Sequence, residues 1–176
     1  CIAALALSGR FSVTLVDTET LPPPRMGESL PPAAERLMDQ LGLAHLLSRP
    51  GYLACKGMNS YWGNENAELL DDPTAQNING WHVCRQAFET ELREQAQRRG
   101  VNCVWPYALD TSSANGHHWH LGMHELDCES PDTLTCRAKI VIDASGRLNT
   151  FAQQQGAMRQ NLDLLVASWI TFCSGH

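Results

Sequence analysis

Lys139-Ile140-Val141-Ile142-Asp143-Ala144-Ser145-Gly146-Arg147 is the stretch from which the fold is read. Three β-branched apolar residues in a row predict a short, fully buried strand. The run stops on Asp143, and the small residues Ala144, Ser145 and Gly146 follow at once. Open α/β sheets bind ligands outside the carboxyl ends of their strands. Small residues there let the backbone approach a bound molecule, and a carboxylate such as Asp143 can accept a hydroxyl hydrogen bond. The same nine residues also suit an ordinary strand exit into a turn. The stretch alone leaves both readings open.

A related pattern stands at the start of the chain. Residues 1–8 are rich in Ala and Leu and predict a buried helix, ended by Ser8-Gly9-Arg10. Phe11 to Val16 then predicts a strand that closes on Asp17. Helix, glycine turn, apolar strand and acid form the second half of a βαβ unit. In a dinucleotide-binding unit the acid at that position hydrogen-bonds a ribose hydroxyl. The first strand and its Gly-x-Gly-x-x-Gly turn would precede Cys1, and the apolar opening without Met reads as a cut inside a domain. The strand predicted over 163–172 stops near residue 173, so the other end also reads as cut.

Between these landmarks the chain alternates. Leu21-Pro22-Pro23-Pro24 is a stiff connector, because proline fits neither regular helix nor central strand. It leads to the loop Arg25-Met26-Gly27-Glu28-Ser29-Leu30-Pro31-Pro32 and to a helix from Pro32 to Leu41, with Gly42 past its end. Arg25 can meet a phosphate or a ring there, and helix N-termini favour anions. Leu43 to Ser48 predicts a short helix, 57–62 a strand, and 63–79 a long polar loop. Gly80 to Arg85 predicts a strand, Arg85 to Arg99 a helix with Phe88, Leu92 and Ala96 on one face, and Val101 to Trp105 a strand. Strand, helix and strand here read as a second crossover.

Residues 106–137 change character and predict an antiparallel meander, with Asn115-Gly116 and Ser130-Pro131-Asp132 as turns. His118 and His120 share a strand face. No Cys, Asp or Glu is co-placed with them, which favours a solvated hairpin over a metal site. Asn149 to Gly156 predicts a short helix.

The chain has 176 residues, 43% of them hydrophobic, enough for one domain with a real core. A net charge of −6 argues against a nucleic-acid partner. No apolar run reaches the ~18–20 residues of a membrane span. The seven cysteines form no Cys-x-x-Cys pair, which points to free thiols in a reducing cytoplasm rather than a disulfide framework or zinc ribbon.

Taken in order, these features are Asp17 after its strand, Arg25-Met26-Gly27-Glu28-Ser29-Leu30, Ser60-Tyr61-Trp62-Gly63, Gly80-Trp81-His82-Val83-x-Arg85-x-x-Phe88 and Asp143-Ala144-Ser145-Gly146-Arg147. The set resembles the FAD-dependent monooxygenases of the para-hydroxybenzoate hydroxylase type, and within them the tryptophan-halogenase-like branch. The resemblance implies an α/β fold: a Rossmann-like parallel sheet that binds FAD or NAD(P), with an antiparallel β-meander, truncated at both ends. It implies FAD-binding segments at 1–52 and 85–158, the start of a substrate domain at 53–84, and a return strand at 159–176. Asp17 stands where an acid binds the adenosine ribose. Arg25, Gly27, Glu28 and Ser29 stand beside the flavin, and Arg85 where an arginine contacts the cofactor. Asp143, Ala144, Ser145 and Gly146 stand where the chain passes close to the dinucleotide. Lys56, six residues before Trp62, lies near the place of the halogenases' catalytic lysine.

The implied activity is oxygen transfer through a flavin hydroperoxide to an aromatic or peptide-borne substrate. Electrons come from NAD(P)H or from a flavin reductase. A flavin-dependent halogenase, an NAD(P)-dependent dehydrogenase and an inactive fragment are the alternatives. The glycine turn, the later Gly-Asp segment and the Trp-x-Trp-x-Ile-Pro motif of these families are not in the sequence.

Overall fold

The structure, a computed structural model, describes residues 1–25, 28–55, 59–60, 68–69, 80–126, 128–129, 132–160, 163, 166, 168 and 170. Its elements run α1 (Ile2–Leu7), β1 (Thr14–Val16), β2 (Glu28–Leu30), α2 (Pro32–Gln40), a 3-10 turn (Ala44–Leu46), β3 (Leu53–Cys55), β4 (Asn59–Ser60), β5 (Glu68–Leu69), β6 (Gly80–Val83), α3 (Arg85–Arg98), β7 (Asn102–Val104), β8 (Tyr107–Asn115), β9 (His118–Glu125), β10 (Thr133–Ala138), a second 3-10 turn (Gly146–Leu148) and α4 (Thr150–Gln154). The chain divides into two units. The first holds Cys1–Leu15 and Leu21–Cys103; the second holds Val16–Thr20 and Val104–His176.

The core of the first unit is helical. Ala4 and Leu5 of α1, Met38 of α2, Leu43, Leu46 and Leu47 after it, Leu92 and Ala96 of α3, and Val101 form one buried cluster. The stripe Phe88, Leu92, Ala96 is the face of α3 turned to this core, as four-residue spacing requires. Two helices end in the same way, on a left-handed glycine. After α2, Gly42 has φ +68, its N–H reaches the Asp39 carbonyl (2.8 Å), and the Leu43 N–H reaches the Met38 carbonyl (2.7 Å). After α3, Gly100 has φ +77, with the matching bonds Gly100 to Gln97 (2.9 Å) and Val101 to Ala96 (3.0 Å). These are Schellman caps, which satisfy the last carbonyls and turn the next residue inward. That next residue, Leu43 or Val101, is buried in each case.

The same unit carries a three-stranded antiparallel sheet in the order β2-β6-β3. Ser29 faces His82, which faces Leu53; Leu30 faces Trp81, which faces Ala54. β4 and β5 pair antiparallel by themselves. β1 and β7 form a two-stranded sheet. In the first unit the Asn102 N–H donates to the Val13 carbonyl (2.9 Å). In the second, the Asp17 N–H donates to Val104 (3.1 Å) and the Tyr107 N–H to Asp17 (2.9 Å).

The second unit is the meander, ordered β10-β9-β8. Asn115 faces His118 across the two-residue turn Gly116-His117, and Gly116 supplies φ +60. One face is covered by α4. Phe151 meets Trp119 edge to face at 4.9 Å, and the Gln154 side-chain amide donates to the Asp110 carbonyl (3.0 Å).

Several expectations are corrected. Ile140–Ile142 is not a strand, and Ile140 and Ile142 are 75% and 55% exposed. A β-branched run needs a neighbour to share its ladder, and no described strand lies alongside. Glu28–Leu30 is strand rather than loop, because β6 offers it a partner. Leu43 to Ser48 tightens into the 3-10 turn instead of a helix. β6, α3 and β7 do not form a crossover within one sheet, since β6 pairs antiparallel with β2 and β3 while β7 pairs with β1. Of the strand expected over 57–62, Asn59–Ser60 is strand and the rest lies outside the described residues, as does most of the 63–79 loop. Of that expected over 163–172, Asp163, Val166, Ser168 and Ile170 are described; they are exposed and outside any strand. The Ser130-Pro131 turn also lies outside the described residues.

Gly80 has no room for a side chain. A Cβ there would lie 2.8 Å from the Leu30 carbonyl oxygen and 3.5 Å from Cys55 Cβ. The near atom is backbone, so rotamer changes cannot relieve it. Gly80→Ala is expected to cost about 1–3 kcal/mol in urea unfolding, with the loss in midpoint rather than slope.

Candidate functional site

The structure gathers the sequence candidates into two groups, one in each unit. In the first unit β2 and β6 run antiparallel, and α3 begins two residues after β6. That short connection places Arg85, at the first position of α3, beside Glu28 of β2. Arg85 Nη1 donates to Glu28 Oε2 (2.7 Å) and Arg85 Nε donates to Glu89 Oε1 (2.7 Å). The second bond is the i, i+4 neighbour pair of a helix surface. Both carboxylates raise the Arg85 pKa, and the hydrogen bond that Glu89 accepts contributes most. The three side chains are 38%, 42% and 30% exposed, so each pair contributes only about 0–1 kcal/mol. Arg85 therefore does not act as a free cation: a phosphate would have to replace a carboxylate.

On the opposite face of the same ladder, Ser29 Oγ lies 2.8 Å from His82 Nδ1. Both side chains are exposed. Arg25, three residues before β2, is exposed and makes no ion pair among the described residues. Gly27 and Lys56 lie outside the described residues.

α3 also carries a buried polar group that sequence reasoning missed. Glu91, on α3, is 5% exposed and sits against the Arg49 guanidinium without hydrogen-bond alignment. Burial pushes its carboxyl up, and the neighbouring Arg49 only partly opposes this. Burial first, and then Glu91, push the Tyr52 hydroxyl up to about 12. The Tyr52 ring stands edge-on to Phe88 at 6.4 Å. Glu91 falls one position before Leu92, so helical spacing marks it for the edge of the apolar stripe. Arg49 and Tyr52 come from a loop, where no periodicity flags them. His82 and Glu89 were also missed; the i, i+4 spacing of Arg85 and Glu89 was the available signal.

In the second unit Asp17 follows β1. Its backbone bonds Val104 and Tyr107, and its carboxylate accepts the Glu19 N–H (3.2 Å). Asp143, Ala144 and Ser145 form an exposed loop that leads into the second 3-10 turn, which opens on exposed Gly146. Asp143 Oδ1 accepts the Ser145 N–H (3.0 Å) and hydroxyl (2.5 Å), and Oδ2 accepts the Ala152 N–H (2.9 Å). Ser145 Oγ accepts the Thr150 N–H (2.9 Å). Asp143 and Ser145 thus cap α4 from a distance. The nominal cap residue, Asn149, makes no side-chain cap bond and sits at φ 45. Asp143 is lowered from the usual carboxylate range, first by the Ser145 hydroxyl and then by the amides it accepts. Among the described residues no group of His, Cys, Asp and Glu could hold a metal. No described helix is long and apolar enough to cross a membrane.

No family model matches the chain. The chain is 27% identical over 169 residues to a tryptophan 2-halogenase of Chondromyces crocatus, covering 95% of this chain and 32% of that protein. It is 27% identical over 146 residues to a 1H-pyrrole-2-carbonyl-[peptidyl-carrier protein] brominase of Pseudoalteromonas luteoviolacea, covering 83% and 34%. The chain therefore spans about a third of the length of these curated relatives. Among solved structures, the flavin-dependent halogenase CmlS superposes with a TM-score of 0.77 at 20% identity, over 88% of this chain and 28% of that one. A complex of aklavinone-11 hydroxylase with FAD and aklavinone gives 0.66 at 18%, over 88% and 32%. The fold is that of the FAD-binding Rossmann-like flavoproteins, with mixed parallel and antiparallel sheets.

The Asp143 cap fixes a pH dependence. Its folded pKa is lowered, so its contribution is present above the ordinary value of 3.8 and is lost as pH falls through the folded value. The Ala152 amide shift is expected to titrate with a midpoint below 3.8, and Asp143→Asn to abolish that titration.

Proposed function

We propose that this chain is part of an FAD-dependent oxidoreductase of the flavin monooxygenase and halogenase kind. The observation that carries the reading is the alignment of 95% of the chain with a tryptophan 2-halogenase, on a fold held in common with flavin enzymes. Halogenation is as well supported as hydroxylation, because both curated relatives above transfer a halogen.

The residues fit the cofactor by their chemistry. FAD carries two phosphates, a ribose and a flat ring. Arg25 is an exposed cation that no described carboxylate neutralises, suited to a phosphate or to the ring. Asp17 ends a strand after a helix and a glycine turn, where an acid takes a ribose hydroxyl. Asp143 to Gly146 is an exposed small-residue loop whose backbone is held firm by the Asp143 carboxylate, and Ala144 and Gly146 let a bound molecule come close. Glu28 and Arg85 hold one another and tie β2 to the start of α3, with Ser29 next to Glu28 on β2; Gly27 is kept as a candidate from its place in the motif. Lys56 is carried forward as a candidate catalytic group of the halogenase reading.

When bound, FAD supplies the electron transfer and oxygen activation that these side chains do not. The protein's own part is to bind, orient and exclude water. The substrate class is an aromatic molecule, free or carried on a peptide, with NAD(P)H or a flavin reductase as the electron source.

The intact gene product is expected to purify yellow and to bind FAD in a fluorescence titration, with NADH alone binding far more weakly. Arg25→Ala is expected to weaken FAD about tenfold, the loss of one charge-assisted contact. A colourless intact protein that ignores added FAD overturns the reading. Retained FAD affinity in Arg25→Ala removes Arg25 from the site.

A further inference from the structure

The three-stranded meander has two faces, and α4 covers only one. Ser112, Trp119 and their neighbours face α4 through Gln154 and Phe151. The other face is polar, and among the described residues no hydrogen bond or ring contact ties it to another element. Register sets its side chains in two cross-strand rows. Ser113, His120 and Arg137 form one row, and Thr111, Gly122 and Thr135 form the next. These six residues, together with Leu121 and Cys136, line a shallow groove of about 430 Å³.

The five polar side chains of these rows are exposed, and none has a hydrogen-bond or ion-pair partner among the described residues. Two features set this groove apart from an ordinary solvated sheet face. Among the described residues no carboxylate lines it, although the chain carries 19 acidic against 13 basic residues. Its floor is also built. β8 bulges between Leu109 and Thr111, and this extra residue aims Thr111 across the strand. A Cβ on Gly122 would lie 2.5 Å from Thr111 Oγ1, so only glycine leaves that hydroxyl its place.

The geometry points to an oxyanion site here, one that takes a phosphate group. Arg137 supplies a planar cation whose fork matches phosphate oxygens. Thr111, Ser113 and Thr135 supply hydroxyl donors, and His120 supplies a ring N–H. A metal cation is disfavoured, because the groove offers an arginine and no acid. A bare sugar is disfavoured too, since no described Trp, Tyr or Phe ring lines it: Trp119 is on the opposite face, against Phe151. The site lies wholly in the second unit, on residues that the flavin reading does not use.

The test is a titration of the isotope-labelled chain with inorganic phosphate at constant ionic strength, read by NMR, with chloride as the control. Saturable shifts are expected at the Gly122 and Thr135 amides and the His120 ring, and not with chloride. Arg137→Ala is expected to weaken binding about tenfold, and the near-isosteric Thr135→Val about threefold. A parallel titration with AMP separates the sources: tighter binding than phosphate assigns a phosphomonoester, and equal binding assigns the free ion. Shifts that grow linearly without saturation, that chloride reproduces, or that both variants leave unchanged overturn the site.

Discussion

The first unit rests on the close approach of α3 to the turn that follows α2. Ala96 makes this possible. It is fully buried, and its small side chain admits Leu43, Leu46 and Leu47 into the same cluster as Leu92. Both helices then stop on a left-handed glycine, and the next residue of each turns into that core. Arg99, just past α3, closes the arrangement by donating to the Leu41 carbonyl (2.5 Å). Helix ends leave carbonyls without partners, and here a glycine cap and an arginine from the other helix supply them. The ends of α2 and α3 are thus tied to one another. Because α3 starts directly after β6, the sheet that carries Glu28, Ser29 and His82 is tied to the same core.

The candidate site shows how charge is divided between holding the fold and meeting a ligand. Arg85 and Asp143 are the charged groups that the motifs mark most strongly, and both are already engaged. Arg85 holds Glu28 and Glu89; Asp143 holds Ser145 and the amides that open α4. Their first role is to shape backbone. Arg25, by contrast, is exposed and pairs with no described carboxylate. Glu91 and Tyr52 are different again. Burial pushes both carboxyl and phenol toward their neutral forms, and Arg49 only partly restores the charge on Glu91.

The meander and the helices were the most legible parts of the sequence. The Asn115-Gly116 signal falls at the β8–β9 turn, and alternation along β9 separates Trp119, Leu121 and Met123 from His118, His120 and His124. Gly42 and Gly100 marked two helix ends within a residue. Strands at the sheet edges were misread. Glu28–Leu30 carries no β-rich pattern and is a strand because β6 lies beside it. Ile140–Ile142 has the pattern and lacks the neighbour. The motif order was enough to point to the flavoprotein fold, but the partners of Arg85 and Asp143 were not in it.

The sequence by itself determined local structure: which faces are apolar, where helices stop, where the hairpin turns, and which small or charged residues stand in the order typical of a flavin enzyme. These depend on neighbours a few residues apart, and backbone preference and side-chain periodicity encode them directly. Only the tertiary structure decided which charges are spent. Glu28 and Arg85 are 57 residues apart in the chain and share a hydrogen bond, and Asp143 reaches forward nine residues to the Ala152 amide. Such pairings depend on strand register and helix placement. A carboxylate that looks poised for a ligand in the sequence can therefore prove to be the group that holds the next helix in place.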